Sequence, residues 1–157
     1  MSLDTVRDYF RSVGFDDRRI IELDESSATV ALAAQALGTQ EERIAKSLSF
    51  MIESHAIIIV AAGDAKIQNG KYKRTFGKKA KMIPFDDVEK RIGHPAGGVC
   101  PFGVKEGVAV YLDESLKRFD TVFPACGATN TAIELTLAEL EELARPVEWI
   151  DVTKIPE

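Results

Sequence analysis

Residues 97–103, which read Gly-Gly-Val-Cys-Pro-Phe-Gly, form a stretch of this 157-residue chain suited to binding a reacting group. Glycine has no Cβ, so a ligand can approach the backbone closely at Gly97 and Gly98. Pro101 fixes its own φ and biases Cys100 toward an extended conformation. Several backbone N–H groups could then face one point and bind an oxyanion, a phosphate or a carbonyl oxygen. The alternative is an ordinary glycine-rich connection between two elements.

Lys46 is the second candidate for chemistry, because its neighbours in the chain are mostly apolar. Ile44 and Ala45 precede it, and Ser47 and Leu48 follow it. This setting is unusual for a lysine that merely carries its charge in solvent, so Lys46 is a candidate site residue. It can equally lay its aliphatic chain along a strand and keep the charge in solvent. The sequence leaves both interpretations open.

A run of positive charge follows further along the chain. It contains no acidic residue, and its seven basic residues are Lys66, Lys71, Lys73, Arg74, Lys78, Lys79 and Lys81. The whole chain has a formal net charge of −5, which disfavours non-specific binding of nucleic acid over the entire surface. The positive charge is therefore local. It marks either a solvated helix face or a surface that contacts phosphates.

Length and composition indicate one globular domain over residues 1–157. Hydrophobic residues make up 45% of the chain and charged residues 29%, which is typical of soluble proteins. No apolar run approaches the roughly 20 residues of a membrane span, and the first residues resemble no secretory signal, so we expect a cytoplasmic protein. Cys100 and Cys126 are the only cysteines, and they lack metal-binding spacing. We expect no disulfide, no metal and no cofactor.

Hydrophobic periodicity predicts the elements that position these residues. Residues 3–13 form an amphipathic helix, and 29–37 form an alanine-rich helix that ends at Gly38, with Ser27 or Thr29 as its N-cap. Residues 46–52 and 56–62 form a hairpin. The second of these strands is apolar throughout, so it should lie at the centre of a sheet and be buried on both faces.

The rest of the chain adds shorter elements. A turn begins with a capping box at Thr39, Asn69 caps a short basic helix that runs through Phe76-Gly77, and a helix over 86–93 leads into residues 97–103. The further strands are predicted over 81–83, 108–113, 121–123, 132–135 and 147–152, and a last helix over 137–144. Strands joined by short connections around a helical middle predict an α+β fold. Its sheet should be mixed, largely antiparallel and partly barrel-like, with flanking helices.

No familiar catalytic motif is present. The chain has no GxSxG, no HExxH and no phosphate loop ending in Gly-Lys-Ser/Thr. Its two histidines are His55, predicted at a hairpin turn, and His94, close to residues 97–103. A histidine-based triad is therefore disfavoured. Lys46 and the glycine-rich stretch are the candidates that remain.

Taken together, the motifs resemble the YbaK family of trans-editing aminoacyl-tRNA deacylases, whose domain also occurs as an insertion in bacterial prolyl-tRNA synthetases. The segments that carry the resemblance are Thr29-Val30, Ala33-Ala34, Leu37-Gly38, 44–48, 62–64, 97–103, 111–113 and 125–127. It runs from about Ser27 to Trp149. A lysine segment combined with a glycine-xxx-proline loop at this separation is more specific than either motif alone.

The resemblance implies hydrolysis of the ester that joins a wrong amino acid to the terminal ribose of a tRNA. Lys46 matches the family's functional lysine, and Gly97, Gly98 and Pro101 belong to its glycine-xxx-proline loop. In that setting, loop N–H groups would polarise the ester carbonyl and stabilise the oxyanion, while Lys46 would anchor a phosphate or carbonyl oxygen. Water would be the nucleophile, and some members use a thiol or ribose hydroxyl of the substrate. Whether Lys46 acts as cation or base stays open.

The substrate pocket should differ from that of one branch of the family. In the branch that removes alanine, a His-Pro pair precedes Thr-Asn-Thr-Ala; here 129–132 retains those four residues, but Cys126-Gly127 replaces the pair. The pocket could then accept a side chain larger than alanine's or differently shaped. Cys100 should act by packing. The residues expected to contact the substrate are Ser47, Val99, Cys100, Cys126, Gly127, Thr129 and Asn130.

The expected partner is misacylated tRNA, held by its acceptor end, and an aminoacyl-tRNA synthetase is a second candidate. The residues expected to contact the tRNA backbone are Lys71, Lys73, Arg74, Lys78 and Lys79. Neither DNA nor a membrane is expected to bind. The alternative function is a non-catalytic module that binds tRNA ends or a synthetase. A small-molecule binding protein would have no need of the basic run.

Overall fold

The computed structural model describes residues 2–156, which contain five α-helices and ten strands. The helices α1 to α5 span Ser2–Ser12, Val30–Leu37, Asn69–Phe76, Val88–Ile92 and Leu137–Ala144. The strands β1 to β10 span Ile21–Glu22, Ile44–Ile52, His55–Ala62, Lys66–Ile67, Ala109–Asp113, Thr121–Pro124, Thr131–Ala132, Leu135–Thr136, Trp149–Ile150 and Thr153–Lys154. None of the helices in the described part of the chain has the length and apolar character needed to cross a bilayer.

The strands form one large sheet and two small ones. The large sheet has the order β8-β6-β2-β3-β5-β9, and β1 pairs with β7 and β4 with β10 in separate antiparallel ribbons. Within the large sheet the β2–β3 and β6–β8 pairs are antiparallel, whereas β2–β6, β3–β5 and β5–β9 are parallel. The sheet curls into a half-barrel, so the predicted α+β class with a mixed, partly barrel-like sheet is confirmed.

The hairpin of β2 and β3 is the centre of the sheet. Its register pairs Lys46 with Ala61 and Ile52 with His55, across a two-residue turn in which Glu53 has φ 55°. The last six residues of β3 are all buried. This confirms the central strand predicted from its uninterrupted apolar run, since both faces of β3 are covered.

Three hydrophobic clusters cover the sheet. The largest joins one face to α1, α4 and α5 through residues such as Val6, Ile92 and Leu140. On the other face, Phe50, Ile57 and Ile59 pack with Tyr72 of α3 and with the C-terminal segment. In the third cluster, Ala33 and Ala34 of α2 pack on Ile44 at the start of β2. The alanines allow α2 to approach this end of the sheet closely.

The helix ends test the caps that were expected from the sequence. Thr29 caps α2 by accepting from the Leu32 N–H at 3.1 Å, and Gly38 ends it at φ 68°, as predicted. The capping box expected at Thr39 was wrong, because the following 3₁₀ turn starts after Gln40 without a side-chain cap. The cap of α3 is Gln68 rather than Asn69.

Three strand predictions were also wrong in detail. Residues 132–135 divide between β7 and β8, which pair in different sheets. Only Trp149–Ile150 of the segment 147–152 pairs in the large sheet. Residues 81–83 contribute a single bridge between Phe50 and Met82 instead of a strand.

Candidate active site

A cleft of about 230 Å³ lies where α2 meets the start of β2. Its walls are the segment that enters α2, the first half of β2, the turn at 96–99 and the segment that follows β6. Ala28, Ala33, Ala45 and Ala125 make much of the surface small and apolar. Lys46 is the only ionisable residue among those that line it. The cleft thus combines one cation with a mostly apolar wall.

Lys46 is the third residue of β2, and its ammonium group is held by backbone carbonyls. Nζ donates to the carbonyl of Gly63 at 3.3 Å and to that of Ala65, both in the turn after β3. An ammonium has three donors, so one N–H remains for a ligand. The side chain therefore does not simply extend into solvent, which was the alternative interpretation of its apolar neighbours.

The charge state of Lys46 is set by opposing effects. Burial lowers its pKa below the ordinary value, the Asp64 carboxylate raises it, and the nearby Lys66 ammonium lowers it. Carbonyl oxygens only accept hydrogen bonds, so the two backbone contacts favour the protonated ammonium. A protonated Lys46 can donate its third N–H to an oxygen atom of a ligand.

The first part of the glycine-rich stretch is a single 3₁₀ turn over Ala96–Gly98, and Gly97 and Val99 line the cleft. The Gly98 N–H donates to the Pro95 carbonyl at 2.8 Å and is therefore already used. Neither Gly97 nor Gly98 has a positive φ; in this stretch only Gly103 does, at 61°. The backbone conformation of Gly97 and Gly98 therefore does not itself require glycine.

Gly97 and Gly98 are needed because there is no room for a Cβ at either position. A Cβ on Gly97 would lie 2.7 Å from Cγ2 of Thr129, and a Cβ on Gly98 would lie 2.6 Å from the backbone nitrogen of Ala128. Both contacts come from the segment that follows β6. The two glycines let the turn and that segment meet at the edge of the cleft.

Cys100, Pro101 and Phe102 lie behind the cleft, in the core. Burial raises the pKa of the Cys100 thiol to about 12. A thiol that stays protonated is a poor nucleophile, so Cys100 contributes packing, as expected from the sequence.

His94 links the glycine-rich stretch to α1. Its Nε2 lies 2.6 Å from the Phe102 carbonyl, and its Nδ1 lies within hydrogen-bond distance of the Ser2 hydroxyl. Because a carbonyl only accepts, Nε2 carries the proton and Nδ1 accepts from Ser2. Burial lowers the pKa of His94, which favours this neutral form. Sequence reasoning missed this bracing role, since Ser2 and His94 are 92 residues apart and share no motif.

The segment 125–132 reaches the cleft through Ala125, Thr131 and Ala132. Cys126 and Gly127 are buried and lie outside the cleft lining, and Gly127 packs closely against Ser2. Asn130 donates through Nδ2 to the Leu23 carbonyl at 3.1 Å. Of the substrate contacts expected from the sequence, the structure brings Ser47 and Val99 to the cleft wall. The altered pair, Cys126 and Gly127, is buried and forms no part of the cleft lining.

Thr129 and Thr131 hold this segment in place. The Thr129 carbonyl accepts from the Ser27 N–H at 2.6 Å, which joins the segment to the start of α2. The Thr131 hydroxyl accepts from the Cys126 N–H at 3.1 Å and donates to the Ala128 carbonyl at 3.0 Å. Thr131 was not singled out from the sequence as a site residue.

Apart from Lys66 in β4, the basic run lies on α3 and the chain after it, on the sheet face to which Lys46 belongs. Lys46, Leu48 and Phe50 alternate along β2, and on their face Leu48 and Phe50 pack with Tyr72 and Phe76 of α3. Only residues 66–68 separate Ala65, a partner of Lys46, from the first residue of α3. The Cα atoms of Ala65 and Asn69 are therefore at most about 14 Å apart.

Two of the five lysines and arginines expected to contact tRNA have acidic partners. Lys71 pairs with Asp151 at 3.0 Å, and Lys78 pairs with Glu53 at 3.1 Å. Lys73, Arg74 and Lys79 are exposed, and within residues 2–156 none of them forms an ion pair. These three are the cations most available to a phosphate backbone.

The α+β fold with its mixed, curled half-barrel sheet matches the fold of trans-editing domains of known structure. The sequence model of the aminoacyl-tRNA editing domain family matches residues 24–143, and the chain belongs to this family. The resemblance inferred from the motifs is confirmed.

Relatives agree over different lengths. A Bacillus subtilis (strain 168) protein described as "Uncharacterized protein YwhH" is 53% identical over 155 residues, covering 98% of both chains. A proline–tRNA ligase of Halalkalibacterium halodurans is 29% identical over 116 residues, which are 73% of this chain but only 20% of the ligase. A solved structure described as a candidate trans-editing enzyme for prolyl tRNA synthetase is 29% identical, with a TM-score of 0.87 over 98% of this chain and 97% of the other.

Proposed function

We propose that this protein hydrolyses the ester bond of misacylated tRNA in trans and so removes the wrong amino acid. The observation that carries the proposal is the Lys46 ammonium, bound to the Gly63 and Ala65 carbonyls beside the cleft. Family membership and the trans-editing neighbour support the same chemistry. The relation to proline–tRNA ligases supports tRNA as the substrate class.

In this proposal, Lys46 binds as a cation. Its remaining N–H donates to a phosphate or carbonyl oxygen near the scissile ester, where a positioned charge stabilises the developing negative charge. The N–H groups of Gly97 and Val99, the turn residues that line the cleft, are the candidate donors to the ester carbonyl. Gly98 is left out of this role because its N–H donates to Pro95.

The nucleophile is water, and the base belongs to the substrate. The residues that line the cleft include no carboxylate, imidazole or thiol. A hydroxyl of the terminal ribose, or a thiol on the amino acid, would then assist proton removal from the water. This arrangement restricts hydrolysis to substrates that carry such a group.

The apolar wall receives the amino-acid side chain. Ser47 also lines the cleft, and its buried hydroxyl has no hydrogen-bond partner among the described residues. A buried hydroxyl without a partner is costly, so a polar group of the substrate is its proposed partner. A small, uncharged side chain fits a cleft of about 230 Å³.

The test is single-turnover deacylation of a panel of misacylated tRNAs by the purified chain, with no synthetase added. At least one tRNA should be deacylated well above the spontaneous rate. Lys46→Ala should slow that reaction at least about tenfold with an unchanged melting temperature. Lys90→Ala, which removes an exposed lysine of α4, is the matched control. Tight tRNA binding without hydrolysis across the panel would instead favour a non-catalytic binding module.

A further inference from the structure

The turn that holds Lys46 contains an aspartate between its two carbonyl ligands. Gly63 and Ala65 supply the carbonyls, and Asp64 is the residue between them. The Ala65 N–H closes the turn by donating to the Ala62 carbonyl at 3.0 Å. The position of the ammonium therefore depends on whatever fixes this turn.

Arg118 fixes it from one side. Its two terminal nitrogens donate to the two carboxylate oxygens of Asp64 at 3.1 and 2.6 Å. This two-point contact sets the orientation of the carboxylate as well as its position. The side chains are only 34% and 25% exposed, so solvent screens the pair less than a pair on the open surface. Arg118 also holds the pKa of Asp64 below its ordinary value.

Ser115 and Asp113 connect the same turn to the interior. Arg118 Nε donates to the Ser115 carbonyl at 3.0 Å, and the Ser115 hydroxyl accepts from the Ala62 N–H at 3.0 Å. The buried Asp113 carboxylate in turn accepts from the Ser115 N–H at 3.0 Å. The turn is thus braced both at Ala62 and at Asp64.

We propose that Asp64, oriented by Arg118, is a positioning residue for Lys46. It fixes the turn whose carbonyls bind the ammonium, and it supplies the negative charge that keeps this half-buried lysine cationic. The proposal rests on the proposed function for its catalytic consequence, but not for its structural and electrostatic content. Three charged groups act on the site: Asp64 stabilises the ammonium charge, Lys66 opposes it, and Arg118 acts through Asp64.

The sign of the electrostatic effect follows from these charges. Burial already lowers the pKa of Lys46, and Asp64 counteracts part of that effect. Asp64→Asn removes the counteracting charge, so the pKa of Lys46 should fall further. Lys66→Met removes a repulsive charge, so it should raise the pKa of Lys46. Two substitutions near one lysine should therefore shift it in opposite directions.

The experiment is an NMR titration of the Lys46 side chain, assigned by the signal that disappears in Lys46→Arg. Asp64→Asn should move the midpoint to lower pH, and Lys66→Met should move it to higher pH. Asp151→Asn is the matched control, because it removes the carboxylate that pairs with Lys71 at 3.0 Å and should leave Lys46 unchanged. An Asp64→Asn midpoint equal to that of the wild-type protein overturns the electrostatic part of the proposal.

A second variant tests whether Asp64 fixes the turn that binds Lys46. It can also replace Asp64→Asn if that protein does not fold. Arg118→Met releases the carboxylate, so the Ala65 amide proton should exchange with solvent faster, while that of Gly77, which closes α3, should not. Unchanged exchange at Ala65 overturns the positioning role. On a tRNA that the wild-type chain deacylates, Asp64→Asn should lower kcat about tenfold with little change in KM. Titration and exchange need no substrate, so they remain informative if the chain proves not to be a deacylase.

Discussion

Gly98 packs its backbone against that of Ala128, so closely that a Cβ on Gly98 would lie 2.6 Å from the Ala128 nitrogen. Both partners are main chain, and neither can rotate away. Gly98→Ala should therefore destabilise the fold by about 1–3 kcal/mol, as other overpacked sites do. Urea denaturation measures this loss. A variant as stable as the wild-type protein would show that the two segments separate easily.

Gly97→Ala should behave differently, because the Cβ would meet the methyl group of Thr129, an exposed side chain, at 2.7 Å. We expect a stable protein whose kcat falls about 10²–10³-fold, since the turn that lines the cleft can no longer approach the ester. Thr129→Ser removes the methyl group and should restore part of the rate in the double variant. Single-turnover deacylation by Gly97→Ala, by Thr129→Ser and by the double variant measures these effects.

Cys100→Ser is the contrast for that experiment. The buried thiol has its pKa raised to about 12 and touches the Phe102 carbonyl, so a hydroxyl can replace it with little effect on rate. A Cys100→Ser protein that is folded and inactive, beside an active Gly97→Ala, would mean that the thiol takes part in the chemistry.

The exposed cations of α3 and the chain after it should contact the tRNA backbone. Lys73→Glu combined with Lys79→Glu should weaken tRNA binding and flatten its dependence on salt, because fewer counterions are released. A short aminoacyl-nucleoside should be hydrolysed at the normal rate. Lys78→Glu should have less effect, since Lys78 already pairs with Glu53. Equal losses on tRNA and on the short substrate would place the defect in the cleft or the fold.

His94 should make the protein less stable in mild acid. Its pKa in the folded protein lies below the ordinary 6.5, so the unfolded chain binds the proton more readily. The stability that the neutral ring contributes is complete above pH 6.5 and is lost as the pH falls through the lowered folded pKa. Between pH 6.5 and about 5, the carboxylates with lowered pKa values remain ionised in both states. The free energy of unfolding should therefore decrease as the pH falls from 6.5 to about 5.

His94→Gln tests this dependence. It should lower stability at pH 7.5 by about 1–3 kcal/mol, because a buried partner of Ser2 or Phe102 is lost, yet flatten the change between pH 6.5 and 5. His55→Gln, at the exposed hairpin turn, should keep the wild-type slope. Urea midpoints at several pH values give the comparison. A wild-type slope in His94→Gln would assign the acid sensitivity to other groups.

Local features of the fold followed from the sequence because they depend on neighbouring residues. The periodicity of α1, the Thr29 cap and the left-handed Gly38 of α2 each act within a few positions. The uninterrupted apolar run of β3 required burial on both faces, and that requirement alone placed the strand centrally. Lys46 was likewise identified from its neighbours and from a family motif. Each of these signals depends on residues that are close together in the chain.

Contacts between distant segments were decided only by tertiary structure. Nothing near Gly98 in the chain predicts that Ala128 will pack against it, and nothing near Lys71 predicts that Asp151 will pair with it. Cys126 stands at a motif position yet packs in the core. Such contacts depend on how the strands are ordered and on which loops meet at a sheet edge. That order is fixed by the burial of the whole chain. The contacts of the Lys46 ammonium with the Gly63 and Ala65 carbonyls therefore became visible only in three dimensions.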